Sequence, residues 1–307
     1  MPVVPVHRGW LHVEQVGSGE PLLLITGFAI SAAVFEPVLP LYGRRFAVTT
    51  YDNRGAGRSS GARPGLSMGR LAADAVELMD ALGIDSAHVY GLSMGGMIAQ
   101  EVALRFPDRV RGLILGATSS GGPHAVLPVR ELAALAGHLP GPLGGARARA
   151  LAAALFSPGF RDRQPDQVRA LLPYFARYRA RPAGVAAHWW ASVYHDTWSR
   201  LPGLSRPTLV MHGGEDGLTP LASARRLADR IPGAELAVVP GAGHAYLLEA
   251  PQVAYDLFAG WLDRVGPIGP GSAPSPLAAR VEPLHRGLPA SALRTARSAL
   301  EVIAGRW

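Results

Sequence analysis

Short runs that are apolar at nearly every position alternate with longer stretches of helical spacing through the first 120 residues. Leu11 to Val16 alternates apolar and polar positions and stops at Gly17-Ser18-Gly19, which predicts an edge-like strand and a turn. Leu22-Leu23-Leu24-Ile25 has no polar position, the pattern of a strand covered on both faces of a parallel sheet. A helix over residues 31 to 42 and a second buried strand, Phe46 to Tyr51, follow. Leu71, Ala75, Leu78, Met79 and Leu82 share one helical face before Gly83, which predicts an amphipathic helix over 67 to 82 with a glycine cap. The strand His88 to Leu92 gives way to helical spacing from Met97 to Phe106, and Val110 to Leu115 is the next strand. This rhythm predicts an α/β fold: a mostly parallel sheet with helices on both faces.

From about Gly121 to Arg200 the rhythm fails. Helical patterns over Val126 to His138, Ala146 to Phe156, Asp166 to Arg179 and Gly184 to Tyr194 run without an intervening strand. Strand and helix return with Pro207 to Gly213, Leu221 to Ile231, Leu236 to Val239 and Pro251 to Val265. The division expected is a core of residues 1–120 and 201–265, a helical cap over 121–200, and a tail over 266–307. That tail comprises a Gly/Pro/Ser linker and a short amphipathic helix over 290 to 303. The cap holds nine of the 22 aromatic residues, which fits a lid over an apolar pocket. Trp189, Trp190, Tyr174 and Tyr178 are its candidate substrate contacts, although most such rings belong to the cap's own core.

Composition narrows the classes. With 307 residues and 48% hydrophobic composition the chain can bury a large core, and the absence of cysteine excludes disulfides, thiolate catalysis and cysteine-ligated metals. All 30 basic residues are arginine, and ten of them face four acidic residues over 122–200. No basic recognition helix or aromatic-basic platform accompanies that excess, so it reads as solvated helix faces and not as a nucleic-acid site. No apolar run approaches the roughly 18 residues of a membrane span, and the first residues lack a charged-then-apolar leader pattern. The expectation is a cytoplasmic monomer or homodimer acting on a small molecule, with no metal or cofactor.

The candidate chemistry centres on His88 to Ala99, where an apolar strand breaks at Ser93 and resumes as a helix. In Gly91-x-Ser93-x-Gly95 the serine occupies a tight strand-to-helix turn that needs small residues two positions to either side. A serine hydroxyl needs a base within hydrogen-bond reach, itself oriented by a carboxylate. His212-Gly213-Gly214-Glu215-Asp216 follows the penultimate strand, and its spacing favours Asp216 over Glu215. Pro240-Gly241-Ala242-Gly243-His244 follows the last strand and sets His244 apart from the other histidines. His88 and His212 read as core groups, while His188 and His195 fall in the cap and at most touch substrate.

Ser93, Asp216 and His244, in that order and each past the end of a strand, resemble the α/β-hydrolase superfamily over residues 10 to 265. The motifs that carry the resemblance are Gly91-Leu92-Ser93-Met94-Gly95-Gly96, His212-Gly213-x-x-Asp216, Gly241-x-Gly243-His244 and Asp52-x-Arg54-Gly55-x-Gly57-x-Ser59. The resemblance is strongest to esterases and lactonases of the 3-oxoadipate enol-lactonase and polyketide methylesterase type. It implies a cap inserted after the sixth strand and a Ser93-Asp216-His244 triad. It also implies an oxyanion hole made by the backbone N–H groups of Phe28 and Met94. The chain departs from the usual His-Gly dipeptide before the first donor, carrying Thr26-Gly27 instead. Asp52 and Arg54 are expected to form an ion pair or a loop brace. The same parts serve cofactor-free perhydrolysis (haloperoxidase-type) and C–C bond hydrolysis, and a non-catalytic ligand-binding member of the fold is the remaining alternative.

Overall fold

The computed structural model describes residues 3–62, 64–124 and 145–266. Eight strands form one sheet: β1 (Val3–Val6), β2 (Gly9–Val16), β3 (Glu20–Ile25), β4 (Phe46–Tyr51), β5 (Ala87–Leu92), β6 (Val110–Gly116), β7 (Thr208–Gly213) and β8 (Glu235–Val239). Their order is β1-β2-β4-β3-β5-β6-β7-β8, antiparallel at the β1–β2 and β2–β4 pairings and parallel elsewhere. The sheet and its helices bear out the α/β-hydrolase expectation. β1 is an addition to it: the sheet edge lies there and not at residues 11–16, since four residues are too few to show a period.

The uninterrupted apolar runs are explained by what covers them. Leu22 and Leu24 of β3 pack into a core with Tyr42, Phe46, Phe258 and Trp261, beneath α1 (Leu39–Tyr42) and the helix Pro251–Val265. Leu23 and Ile25 point to the other face, under α2 (Met68–Ala81), α3 (Met94–Arg105) and α8 (Leu221–Arg230). Because successive strand residues face opposite sides, a sheet covered twice has no place for a polar period. Two helix bounds differ from the sequence pattern. The helix expected over 31 to 42 is a 3-10 turn, Ala32–Phe35, followed by α1, because Pro37 lacks the N–H that a continuous helix would need. α3 starts at Met94, directly after Ser93, three residues before its apolar spacing becomes visible.

Between β6 and β7 the described residues hold helices and no strand: α4 (Gly145–Leu155), α5 (Pro158–Arg163), α6 (Pro165–Ala176) and α7 (Pro182–Val193). α5 is not apparent in the periodicity. Ser157 starts it by accepting the Phe160 N–H at 3.2 Å, and Pro158 supplies a first turn that needs no donor. The two ends of the insertion meet at the bridge between Gly121 and Asp196. The helix expected over Val126 to His138 and the tail from residue 267 lie outside the described residues.

The Asp52–Ser60 loop after β4 is held at most of its polar positions. Asp52 pairs with Arg58 (3.1 Å) and Arg54 with Asp74 of α2, so the two motif residues each take a different partner and are not paired to each other. The Arg54 fork is bidentate, Nε to Oδ2 at 2.8 Å and Nη2 to Oδ1 at 2.6 Å, and both side chains are buried. Removing one member of such a pair strands the other charge out of water. Asp74→Ala is therefore expected to cost about 3–5 kcal/mol in urea unfolding, with much of the loss recovered in an Arg54→Met/Asp74→Leu double variant.

His195 sits where the insertion rejoins the sheet, with its carbonyl accepting the Gly122 N–H at 2.8 Å. Burial pulls its imidazole down to about 4, against the opposing attraction of Glu101. A histidine whose folded pKa lies below its unfolded value contributes fully above the unfolded value, about 6.5, and that contribution is lost as the pH falls toward the folded one. The urea midpoint is expected to fall between pH 6.5 and 4, with a shallower slope in His195→Gln.

Candidate active site

Parallel strands place the ends of β3, β4, β5, β7 and β8 on one edge of the sheet, so the loops that follow them converge there. At the end of β5, Ser93 adopts φ 58° and ψ −121°, a conformation that non-glycine residues rarely hold. Its N–H donates to the Gly116 carbonyl of β6 at 2.8 Å, and its own carbonyl accepts from Gly96 N at 2.9 Å. A Cβ at Gly91 would collide with the Gly95 carbonyl, and one at Gly95 with the Ile25 carbonyl, so no larger residue fits at either position. The turn leaves Ser93 partly exposed among buried neighbours and puts Met94 at the first turn of α3, whose unpaired N–H groups favour negative charge.

Asp216 and Glu215 are separated by burial: Asp216 faces inward and Glu215 is exposed. Asp216 Oδ1 accepts the Leu218 and Thr219 N–H groups, each at 2.8 Å, while Oδ2 lies 2.9 Å from His244 Nδ1. Burial alone would raise this carboxyl. The charge of His244 and hydrogen bonds from His212 and His244 outweigh it and hold Asp216 well below the usual carboxylate range. A carboxylate only accepts, so the His244 nitrogen facing Asp216, Nδ1, is a donor and Nε2 is the nitrogen turned away from it. His212, buried at the end of β7, donates from Nε2 to the Thr219 carbonyl at 2.7 Å and so closes the loop that presents Asp216.

The His244 loop is tied to the insertion by contacts that sequence reasoning did not find. Ala245 N donates to the Leu155 carbonyl at 2.8 Å. Glu249 Oε1 accepts from Gly243 N (2.8 Å) and Ser157 N (3.1 Å), and Oε2 accepts from Ser157 Oγ (2.7 Å). Burial pushes the Glu249 carboxyl up, and the bonds to Ser157 and Gly243 restrain that rise. No local pattern marks Glu249, since its partner Ser157 lies 92 positions earlier.

Ser93 and His244 line one cavity that opens to solvent. Gly27 and Phe28 line it from the loop after β3, and Val34, Phe35, Leu155, Phe175, Leu247 and Leu248 supply much of the apolar wall. Among the described residues, the side chains of Ser93 and His244 are the hydrogen-bonding groups in that lining. Trp189, Trp190, Tyr174 and Tyr178, the four aromatic residues expected to touch substrate, are not part of that lining. Trp189 is buried within the insertion, Trp190 stacks on Tyr194 at 5.8 Å, and Arg177 and Arg58 lie over the rings of Tyr174 and Tyr178. The ring that reaches the cavity from α6 is Phe175, which shares a buried stripe with Val168, Leu171 and Leu172. That stripe was readable as helical spacing. His188 and His195 do not line the cavity. No group of three or more potential metal ligands exists among the described residues, and no described helix is long and apolar enough to cross a membrane.

The architecture is shared with known proteins. Residues 20–251 match the model of the alpha/beta hydrolase fold family. A protein of Azorhizobium caulinodans named carbamate hydrolase RutD is 29% identical over 83% of this chain and 96% of its own length. Pimeloyl-[acyl-carrier protein] methyl ester esterase of Chromobacterium violaceum is 32% identical over 79% of this chain and 94% of its own. Among solved structures, the enol-lactonase of Burkholderia xenovorans LB400 superposes with a TM-score of 0.75 at 25% identity, covering 85% of this chain and all of that one. With the eight-stranded sheet, the strained turn at Ser93 and the converging loops already in place, the match over three quarters of its length shows that this chain belongs to the α/β-hydrolase family.

Proposed function

We propose that the protein is a serine hydrolase that cleaves a carboxylic ester or lactone of a largely apolar small molecule through an acyl-enzyme on Ser93. One observation carries the reading. Ser93 and His244 are the polar side chains in an otherwise apolar cavity, and His244 is oriented from behind by buried Asp216. In this reading His244 Nε2 takes the Ser93 hydroxyl proton as Oγ attacks the substrate carbonyl, and the Asp216 carboxylate steadies the imidazolium that forms. The Phe28 and Met94 N–H groups hold the tetrahedral oxyanion. Collapse breaks the ester C–O bond, His244 returns the proton to the leaving oxygen, and a water deprotonated by the same nitrogen then releases the acid. The esterase and lactonase names of its relatives support the reaction class.

The apolar wall selects the substrate. A carboxylate or carbamate amide buried against Val34, Phe35 and Phe175 would lose its hydration with nothing to replace it, a cost a hydrocarbon acyl chain does not carry.

A fluorophosphonate probe is expected to add once, at Ser93, and not at all in Ser93→Ala, as read by intact mass and peptide mapping. A label elsewhere, or none, removes the mechanism. In a matched pair of p-nitrophenyl esters that differ only by a distal carboxylate, the neutral member is expected to show the higher kcat/KM with little dependence on ionic strength. A salt-sensitive preference for the anionic ester would instead put charged groups of the insertion in the pocket.

A further inference from the structure

The buried stripe of α7 runs through Gly184, His188 and Ala191, spaced as one helical face. Gly184 allows that face to approach the Asp52–Ser60 loop backbone to backbone, because a Cβ there would collide with the Gly55 carbonyl oxygen. One turn further along, the His188 imidazole is fully buried between two core loops. Its Nδ1 lies 3.1 Å from Ala29 N, and its Nε2 lies 2.7 Å from the Arg54 carbonyl oxygen. An amide N–H only donates and a carbonyl only accepts, so the ring is the neutral tautomer with its proton on Nε2. Burial holds it in that form by pulling its pKa down to about 4.

Both partners matter. Arg54 is anchored by the bidentate pair with Asp74, so its carbonyl is a fixed reference point. Ala29 follows Phe28 directly and has φ 53°, a left-handed conformation that alanine does not favour by itself. The loop around it is also held by Ala32 N donating to Asp52 Oδ1 (2.6 Å) and by Asn53 Nδ2 donating to the Thr26 carbonyl (3.1 Å). The bond to His188 is made by the residue that follows Phe28, whose ring also meets the imidazole edge-on at 6.1 Å.

We propose that His188 is a positioning residue for the oxyanion hole: by accepting the Ala29 N–H it fixes the backbone at Phe28, so that the Phe28 N–H points at the developing oxyanion. The inference rests on the serine-hydrolase reading and its assignment of Phe28. It makes the donor geometry depend on the docking of the helical insertion, since the acceptor belongs to α7 and the donor to the loop after β3. His188 is absent from the cavity lining, so it acts through Ala29 and not on substrate.

Two isosteric variants separate its two bonds. Asn at 188 places an acceptor near the Nδ1 position and reaches Ala29 but not Arg54; Gln places a donor near the Nε2 position and reaches Arg54 but not Ala29. Each loses one hydrogen bond, so their Tm losses are expected to be similar. For a neutral p-nitrophenyl ester, His188→Gln is expected to lose about 10- to 100-fold in kcat with KM within about twofold, while His188→Asn stays within about threefold of wild type in kcat. Equal kcat in the two variants, or losses that track Tm alone, would overturn the positioning role. If His188→Gln does not fold, nitrogen-15 NMR of histidine-labelled wild-type protein decides. A protonated Nε2 with a hydrogen-bonded, bare Nδ1 supports the inference, and the opposite tautomer overturns it. A wild-type chain that shows no labelling at Ser93 and no ester turnover removes the hydrolase reading and this inference with it. A wild-type chain that reacts while Gln and Asn behave alike removes the inference only.

Discussion

Ser93 is held in a backbone conformation that costs on the order of 1–3 kcal/mol, and the rest of the molecule is arranged so that this cost is met. The turn persists because both sides are over-determined. Before it, β5 is paired on each edge, to β3 and β6; after it, α3 packs so closely on the strand ends that only glycine fits at 91 and 95. The apolar runs of β3, β5 and β6 that bury both faces of the sheet are therefore also what hold the proposed nucleophile out of the turn. A sheet covered on one face only would leave α3 free to relax away from it.

Around that point the loops are clamped from two directions. The sheet side supplies the Asp52–Ser60 loop, whose Asp52 and Asn53 grip the segment after β3 while Arg54 is locked to α2. The insertion supplies Leu155 and Ser157 against the His244 loop, and Ser31 Oγ adds a bond to the Arg177 carbonyl at 2.9 Å. Few of these contacts involve the side chains that line the cavity. Under the proposed serine-hydrolase reading they remove freedom from groups whose directions would decide how well charge is stabilised. The half-buried carboxylate of Glu249 and the buried imidazole of His188 each satisfy backbone N–H groups that would otherwise be orphaned at loop ends.

The insertion also changes how the charge distribution is read. Two of its described arginines are engaged at the surface: Arg177 pairs with Glu36 and lies over Tyr174, and Arg200 pairs with Glu101. Among the described residues, the cavity wall that the insertion provides, Leu155 and Phe175, is apolar. A net charge belongs to the whole chain, whereas specificity depends on the few side chains that turn inward.

What the sequence by itself determined is what short-range chemistry controls. The strands at 22–25, 46–51 and 88–92 show because double burial leaves no polar position. The turn at Ser93 shows because its glycines are forced by sterics two residues away. Asp216 and His244 stand out because each follows a strand in a glycine-rich loop. The amphipathic stripe that carries Phe175 was equally local, although adjacent aromatic residues such as Tyr174 obscured which ring turns inward. Tertiary structure alone decided the rest. His188 meets Ala29 across 159 positions, and Glu249 meets Ser157 across 92. Neither meeting leaves a periodic trace, because a hydrogen bond between distant segments is set by how the helices of the insertion dock and not by any spacing along the chain.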